Sequence, residues 1–147
     1  MAQTPHLEIE PSVLESAREL LSGGLRFATV ASLGRDGGPH QAVAWFLFRG
    51  DTIILNSAEG RAWPANLRRD PRVSVTIEDE YRWVSIRGTV WIIDDQPIAQ
   101  ADIAEMARRY HADEPDRAET MIRDRFVRQQ RVSFHLPLAG SRLHFEA

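Results

Sequence analysis

The chain has 147 residues, a formal net charge of −3 at neutral pH, 43% hydrophobic residues and 27% charged residues. This length fits one domain with its own core, and the small negative charge gives no overall attraction to nucleic acid or to an anionic membrane. Cysteine is absent, which excludes disulfides, thiol catalysis and thiolate metal sites.

No segment of the sequence is typical of a secretion signal or a membrane span. Residues 1–11 lack the basic start and apolar run of a signal peptide. No stretch approaches the roughly 18 apolar residues that a span requires. We therefore expect one cytoplasmic domain over residues 1–147, with neither a nucleic-acid nor a membrane partner.

The first third of the chain predicts one helix followed by strands. Ser12 and Glu15 have the spacing of a capping box, and the apolar stripe behind them predicts a helix over 12–22 that ends at Gly23. Strands are predicted over 25–32, 39–48 and 52–57. Because turn-rich segments separate them, we expect three consecutive antiparallel strands.

Two longer strands are predicted over 72–79 and 81–94. In the second of these, the face that carries Val84 and Ile86 is expected to lie in the core. Gly88 stands in the middle of this strand and predicts a bulge or a bend, since glycine there weakens regular pairing.

The last part of the chain predicts two helices and a closing hairpin. The expected elements are helices over 97–111 and 115–130 and paired strands over 131–137 and 142–146. Asp94 or Asp95 is a candidate cap for the first helix, and Pro115 is expected to begin the second. Strands and helices do not alternate, so the pattern favours a mostly β, α+β fold: an antiparallel barrel with flanking helices.

No common catalytic or nucleotide-binding motif occurs in the sequence, because GxSxG, HExxH, GxxxxGK and GxGxxG are all missing. Two histidines, His135 and His144, could meet across the terminal hairpin. They are either metal ligands or ordinary strand residues with satisfied hydrogen bonds, and we favour the second interpretation and predict no metal site.

The segment 56–73 is unusually rich in arginine for a connection between strands. Arg61 follows Gly60 at the expected start of a short helix in which Pro64 is tolerable only in the first turn. A helix N-terminus together with a guanidinium is a candidate anion site, so we predict that Arg61 binds an anion. The other arginines of the segment are expected at the surface or at an interface: Arg68, Arg69 and Arg72.

Three stretches together resemble a known family. They are PHQAVAWFLFRGDTIILNSAEG (39–60), GRAWPANLRRDPRVSV (60–75) and WVSIRGTVWII (83–93). Over roughly residues 12–137 the sequence is similar to the pyridoxamine 5′-phosphate oxidase-like split β-barrel superfamily, and within it to the small deazaflavin (F420)-dependent reductases. The resemblance implies a split barrel that forms a homodimer, with a flavin-type cofactor at the subunit interface.

The resemblance also implies which residues hold the cofactor. The strand that contains Gln41, Val43, Ala44 and Trp45 would border the ring system, and Asn56, Ser57 and Arg61 would bind the phosphate or the ribityl chain. Trp63, the eighth residue assigned to the cofactor site, stands where many relatives have a lysine, so one positive charge of the family pattern is missing here. The indole would instead pack on the cofactor ring or on the partner subunit, and Arg87 or an arginine of the other subunit would replace the charge.

The function that the resemblance implies is hydride transfer between F420 and a small unsaturated substrate, with no catalytic side chain identified. Two alternatives remain open: an FMN-dependent reductase or oxidase of the same fold, and a non-catalytic dimer that binds a cofactor or a tetrapyrrole. The C-terminal segment 131–147 does not resemble the substrate-binding tail of true pyridoxamine phosphate oxidases.

Overall fold

The computed structural model describes residues 9–147. Residues 1–8 lie outside the described part; they belong to the segment 1–11, in which we expect no secretion signal. The helices are α1 (Pro11–Ser22), α2 (Ala62–Arg69), α3 (Gln96–Tyr110) and α4 (Pro115–Asp124), and a 3-10 turn follows at Phe126–Arg128. The strands are β1 (Ala28–Leu33), β2 (Pro39–Ala44), β3 (Leu47–Arg49), β4 (Thr52–Ala58), β5 (Arg72–Asp79), β6 (Arg82–Thr89), β7 (Trp91–Ile93), β8 (Arg131–Pro137) and β9 (Arg142–Glu146).

The strands form two sheets, and all neighbouring strands are antiparallel. One sheet has the order β2-β1-β5-β6-β9 and the other has the order β3-β4-β8-β7. The predicted α+β class with an antiparallel barrel and flanking helices is confirmed.

The strand predicted over 39–48 is in fact two strands that belong to different sheets. β2 ends at Ala44 and β3 begins at Leu47, and Phe46 turns its side chain into the main core between them. The backbone N–H of Phe46 donates to the hydroxyl of Tyr110 at 3.1 Å, which replaces a strand partner. The two predicted antiparallel pairings are confirmed, since β1 pairs with β2 and β3 pairs with β4, but the three predicted strands do not form one continuous sheet.

The strand predicted over 81–94 also divides between the sheets. Val90 separates β6 from β7, is buried, and donates its N–H to the carbonyl of Pro71 at 3.0 Å. Gly88 is not a bulge, since β6 pairs with β5 in unbroken register through it. A Cβ at Gly88 would collide with the hydroxyl of Ser141, so a larger residue here would displace that side chain from its hydrogen bond to the carbonyl of Pro137.

The predicted terminal hairpin does not exist. β8 lies between β4 and β7 in the four-stranded sheet, whereas β9 pairs with β6 at the edge of the other sheet. β8 and β9 are consecutive strands in the chain, but they belong to different sheets and pair with different strands. His135 on β8 and His144 on β9 therefore do not face each other across a hairpin.

The helix starts were mostly predicted correctly. Asp95 caps α3 by accepting from the N–H of Ile98 at 3.2 Å, and Pro115 begins α4. The capping box was wrong, since Glu10 precedes α1 and makes no side-chain cap. The second predicted helix is shorter than expected, because after Asp124 the chain tightens into the 3-10 turn that buries Phe126.

Within the part of the chain that the structure describes, buried apolar residues form two separate clusters. The larger lies between the sheets and is centred on residues with no exposure, among them Val30, Val75, Ile86 and Phe134. The smaller lies between the four-stranded sheet and the α3–α4 pair and includes Ile54, Ile103, Met106 and Phe126. No helix of residues 9–147 is both long and apolar enough to span a membrane.

Candidate functional site

A cavity of about 290 Å³ opens where the second apolar cluster meets the ends of β2 and β4. Its apolar wall consists of aromatic, methionine and isoleucine side chains: Phe27, Trp45, Ile103, Met106, Met121 and Phe126. Three arginines also line it: Arg61, Arg125 and Arg131. A ligand in this space would therefore contact both an apolar surface and a cluster of positive charge.

The cavity brings together six of the eight residues that the sequence assigned to a cofactor: Val43, Ala44, Trp45, Asn56, Arg61 and Trp63. Gln41 is exposed on the outer face of β2 and does not line it. Ser57 is 2% exposed, lies on the opposite face of β4 from Asn56, and donates to the carbonyl of Ala58 at 3.0 Å. The assignment of all eight residues to a cofactor stays a prediction.

Arg61 occupies the N-cap position of α2 and is exposed, with no ion pair to a carboxylate within residues 9–147. Pro64 is the third residue of that helix, in the first turn as predicted. The neighbouring arginines differ: Arg68 pairs with Glu59 and Asp94, and Arg72 pairs with Asp70 at 2.7 Å. The structure thus separates Arg61 from the paired arginines of the same segment.

Trp63 forms part of the cavity wall and brings no charge to the site. Its side chain is 6% exposed, and its ring centroid lies 5.6 Å from that of Phe134 in the main core. A tryptophan here packs between the core and the cavity. The positive charge of this site has to come from other residues.

Arg131 and Arg125 are the charges that sequence reasoning missed. Arg131 is only 5% exposed, and burial, followed by the positive charges of Arg61 and Arg125, lowers its pKa to about 10. The side chain is still protonated at neutral pH. No sequence signal could have found it, because an arginine at the first position of a strand normally faces solvent.

The guanidinium of Arg131 is held by neutral groups. Its Nε donates to Asn56 Oδ1 at 3.0 Å, its Nη1 donates to Gln129 Oε1 at 2.6 Å, and its Cζ lies 5.0 Å from the ring centroid of Phe126. Within residues 9–147, no carboxylate pairs with Arg131 or Arg125. Three cations beside one cavity without a neutralising carboxylate form a site suited to an anion.

Trp45 is fixed as one side of the cavity. Its ring stacks on that of Tyr110 at 5.0 Å and 12°, and the edge of His111 meets it at 5.5 Å. The Tyr110 hydroxyl donates to the carbonyl of Arg26 at 2.5 Å, and burial raises the pKa of Tyr110. This tyrosine therefore holds the backbone at Phe46 and Arg26 and is poorly placed to give up a proton.

The two histidines considered as metal ligands each contact one carboxylate. His135 Nε2 lies 3.1 Å from Asp102 Oδ2, and His144 Nε2 lies 2.8 Å from Glu146 Oε1. No group of three or more potential metal ligands is found in the described part of the chain.

Comparisons with known proteins agree with this architecture. A family model described as "Pyridoxamine 5′-phosphate oxidase" matches residues 13–133. A solved structure of a conserved hypothetical protein from Mycobacterium tuberculosis is similar with a TM-score of 0.73 and 24% identity, covering 99% of this chain and 89% of that one. No curated protein matches the sequence.

Two further solved structures share the fold. One is an F420 reductase, with a TM-score of 0.64 and 21% identity over 88% of this chain and 94% of that chain. The other is a heme storage protein from Vibrio cholerae, with a TM-score of 0.61 and 17% identity over 94% of both chains. At these identities the likeness concerns the fold alone.

Proposed function

Because the chain belongs to the pyridoxamine 5′-phosphate oxidase family, which includes oxidoreductases, we propose that it is an oxidoreductase whose cavity receives the anionic end of a flavin-type cofactor. The observation that carries this proposal is the cluster of Arg61, Arg125 and Arg131 at one cavity, without a carboxylate partner within residues 9–147. Burial, and then repulsion from Arg61 and Arg125, lower the pKa of Arg131, and an anion there would offset both.

The volume of the cavity suits one end of a flavin-type cofactor and not the whole molecule. At about 290 Å³ it lies at the lower end of the roughly 300–1,000 Å³ that small-molecule sites occupy, so the arginine end and part of a longer chain would fill it. Val43 is 69% exposed and lines both this cavity and a groove on the outer face of the five-stranded sheet. A flat ring would therefore lie toward Val43, beside the residues assigned to it from the sequence.

We assign F420 as the cofactor, and the likeness in fold to an F420 reductase supports this choice. When bound, the reduced deazaflavin would supply a hydride to a small unsaturated substrate. The arginines would bind the anionic end, the Trp45 side would orient the rest, and the apolar wall of Ile103 and Met106 would exclude water. No side chain of this chain is assigned a proton-transfer role.

A cofactor titration tests the proposal. Purified protein is titrated with F420, FMN and heme, and binding is followed by fluorescence quenching and absorbance. We expect tight binding of F420 and turnover of a reporter enone with the reduced cofactor. Tight FMN binding without F420 binding would overturn the assignment in favour of a flavoprotein. Heme binding without turnover of any substrate would favour a non-catalytic tetrapyrrole-binding protein.

We also propose that the protein is a homodimer that pairs through the outer face of the five-stranded sheet. This face carries small, partly exposed side chains on its central strands: Thr29, Ser74, Thr76 and Ser85. One end of the face is basic, with Arg87 and Arg142, and the other end is acidic, with Glu78 and Glu146.

The charge pattern supports one arrangement of two copies in the proposed dimer. Arg87 and Arg142 lie directly opposite each other on β6 and β9, an arrangement of like charges that is destabilising in an isolated sheet. A two-fold axis running across the strands would bring this basic end against the acidic end of the second copy. The second copy would then also cover Val43 at the mouth of the cavity.

Charge exchange tests the dimer. Arg87→Glu and Glu78→Arg, made singly, should each weaken dimerisation in sedimentation experiments, and the double variant should restore it because the two ends remain complementary. Asp113→Arg, on the exposed α3–α4 connection, is the control for a change of net charge. A monomeric wild-type protein, or single variants that dimerise normally, would overturn this arrangement.

A further inference from the structure

A buried carboxylate lies behind the arginine cluster and is not part of the cavity lining. Asp102 on α3 is 2% exposed. It accepts from Ser133 Oγ at 2.7 Å and from Arg49 Nη2 at 3.0 Å, and His135 Nε2 lies 3.1 Å from it. Nothing in the proposed function uses this residue.

A chain of hydrogen bonds connects Asp102 to the cavity. Arg131 Nε donates to Asn56 Oδ1 at 3.0 Å, Asn56 Nδ2 donates to Ser133 Oγ at 2.9 Å, and Ser133 Oγ donates to Asp102 Oδ2 at 2.7 Å. Asn56 and Ser133 are both buried. The chain of hydrogen bonds thus runs from the guanidinium of Arg131 at the cavity to the carboxylate of Asp102 on α3. The neutral side chains of Asn56 and Ser133 connect the two.

The direction of this chain is forced by the groups at its ends. A guanidinium can only donate, so the Asn56 atom that faces Arg131 must be the amide oxygen. The amide nitrogen must then face Ser133 and the carbonyl of Ala99, 2.9 Å away, which can only accept. Ser133 accepts from Asn56 and therefore directs its own proton to Asp102, which as a carboxylate can only accept.

From this arrangement we infer that Asp102 is a positioning residue for Arg131, acting through Ser133 and Asn56, and thereby sets how strongly the cavity binds an anionic ligand. A carboxylate in direct contact would neutralise the guanidinium and compete with the ligand. At the far end of two neutral groups, Asp102 instead fixes the orientation of Arg131 Nε. Over residues 9–147, Nη2 makes no hydrogen bond to protein and is available to a ligand.

This inference rests on the proposed anion site, and a set of variants tests it with inorganic pyrophosphate as the probe. Asp102→Ala and Ser133→Ala each break the chain and should weaken pyrophosphate binding by about fivefold or more, the loss expected for one hydrogen bond that orients a charged group. Asp102→Asn retains an acceptor for Ser133 and should bind within about twofold of wild type. Glu105→Gln, which alters the exposed acid that pairs with Arg49, is the matched control and should bind as wild type does.

A double-mutant cycle separates positioning from a general loss of structure. In an Arg131→Gln background, Asp102→Ala should have no further effect on pyrophosphate affinity, because the residue on which Asp102 acts is gone. An equal loss of affinity in both backgrounds would overturn the inference. So would wild-type affinity in Asp102→Ala and Ser133→Ala, or a loss in Asp102→Asn as large as that in Asp102→Ala.

A second measurement needs no ligand. The Nε–H resonance of Arg131, identified in nitrogen-15 spectra by its loss in Arg131→Gln, should be protected from solvent exchange in the wild type and lose protection in Ser133→Ala. Unchanged protection in that variant overturns the inference even if no anion binds. Wild-type protein that shows this protection but fails to bind pyrophosphate would overturn the proposed function and leave the positioning of Arg131 supported.

Discussion

Two groups of arginines near helix α2 differ in the side chains that neutralise them. Arg68 lies in the last turn of the helix, whereas Arg61 at its N-terminus lines the cavity together with Arg125 and Arg131. At the C-terminal end, Asp94 and then Glu59 raise the pKa of Arg68 by accepting hydrogen bonds from it. At the cavity, burial and the charges of Arg61 and Arg125 lower the pKa of Arg131. The protein stabilises the charge of the first group with carboxylates, whereas within residues 9–147 the second group has no carboxylate partner, which is the property expected of a ligand site.

Replacing the most buried of these cations should have the largest effect. Arg131→Gln removes the guanidinium that the cavity shares with the Asn56 chain. We expect affinity for F420 or pyrophosphate to fall by about 10- to 150-fold, which corresponds to the roughly 1.5–3 kcal/mol of a charge-assisted hydrogen bond. Isothermal titration calorimetry measures this. Arg68→Gln, which also removes one arginine but one held by Glu59 and Asp94, should change affinity by less than about twofold.

Arg61→Ala should give a smaller loss of affinity, about 10-fold, with a second signature that marks a ligand site. Since Arg61 repels Arg131 and has no carboxylate partner within residues 9–147, its removal should not lower the free energy of unfolding of the ligand-free protein. Fluorescence titration and urea unfolding provide the two quantities. An affinity change below about threefold would show that Arg61 is not part of the anion site.

The loss of folding stability at acid pH should report on Asp102, the buried carboxylate behind the cavity. Burial alone would raise the pKa of Asp102, but hydrogen bonds from His135, Ser133 and Arg49 outweigh it and hold the pKa below its usual range. A carboxylate with a lowered pKa contributes stability above its unfolded pKa of about 3.9 and loses it as pH falls through its folded pKa. Urea unfolding of wild type below about pH 4 should therefore show a loss of stability.

Asp102→Asn is the matched variant for this pH dependence. The amide cannot titrate, so its stability should vary less than that of the wild type over the same acid range. The exposed Glu105 on the same helix provides the control, and Glu105→Gln should retain the wild-type acid limb. Parallel curves for wild type and Asp102→Asn would show that other carboxylates dominate the acid response.

The sequence predicted element types better than it predicted sheet membership. Alternation identified β6 and β7 as extended, but it could not show that Val90 marks the change from one sheet to the other, because both pieces pack apolar side chains against the main core. The same is true at Phe46, where a tyrosine hydroxyl 64 residues away supplies the missing backbone partner. Such breaks depend on long-range contacts that local periodicity does not contain.

Within the site, the same dependence on long-range contacts explains why Arg61 could be predicted from the sequence and Arg131 could not. Arg61 was identified because a glycine and a helix start stand next to it in the chain. Arg131 reaches the cavity only because β8 pairs with β4, which places it beside Asn56, 75 residues earlier. The partners of Arg131 therefore cannot be predicted from the residues next to it in the sequence.

The smallest expected effect belongs to an arginine that shares its sequence segment with Arg61. Arg72 is exposed and bonded to Asp70 through both its side chain and its backbone N–H, and its side chain lowers the pKa of Asp70. An exposed pair of this kind is screened by salt and neutralised locally. Arg72→Ala should thus change pyrophosphate affinity by less than about twofold at moderate salt. If it weakened binding as much as Arg61→Ala does, the cavity would respond to the total positive charge of the surface, and the distinction between paired and unpaired arginines would fail.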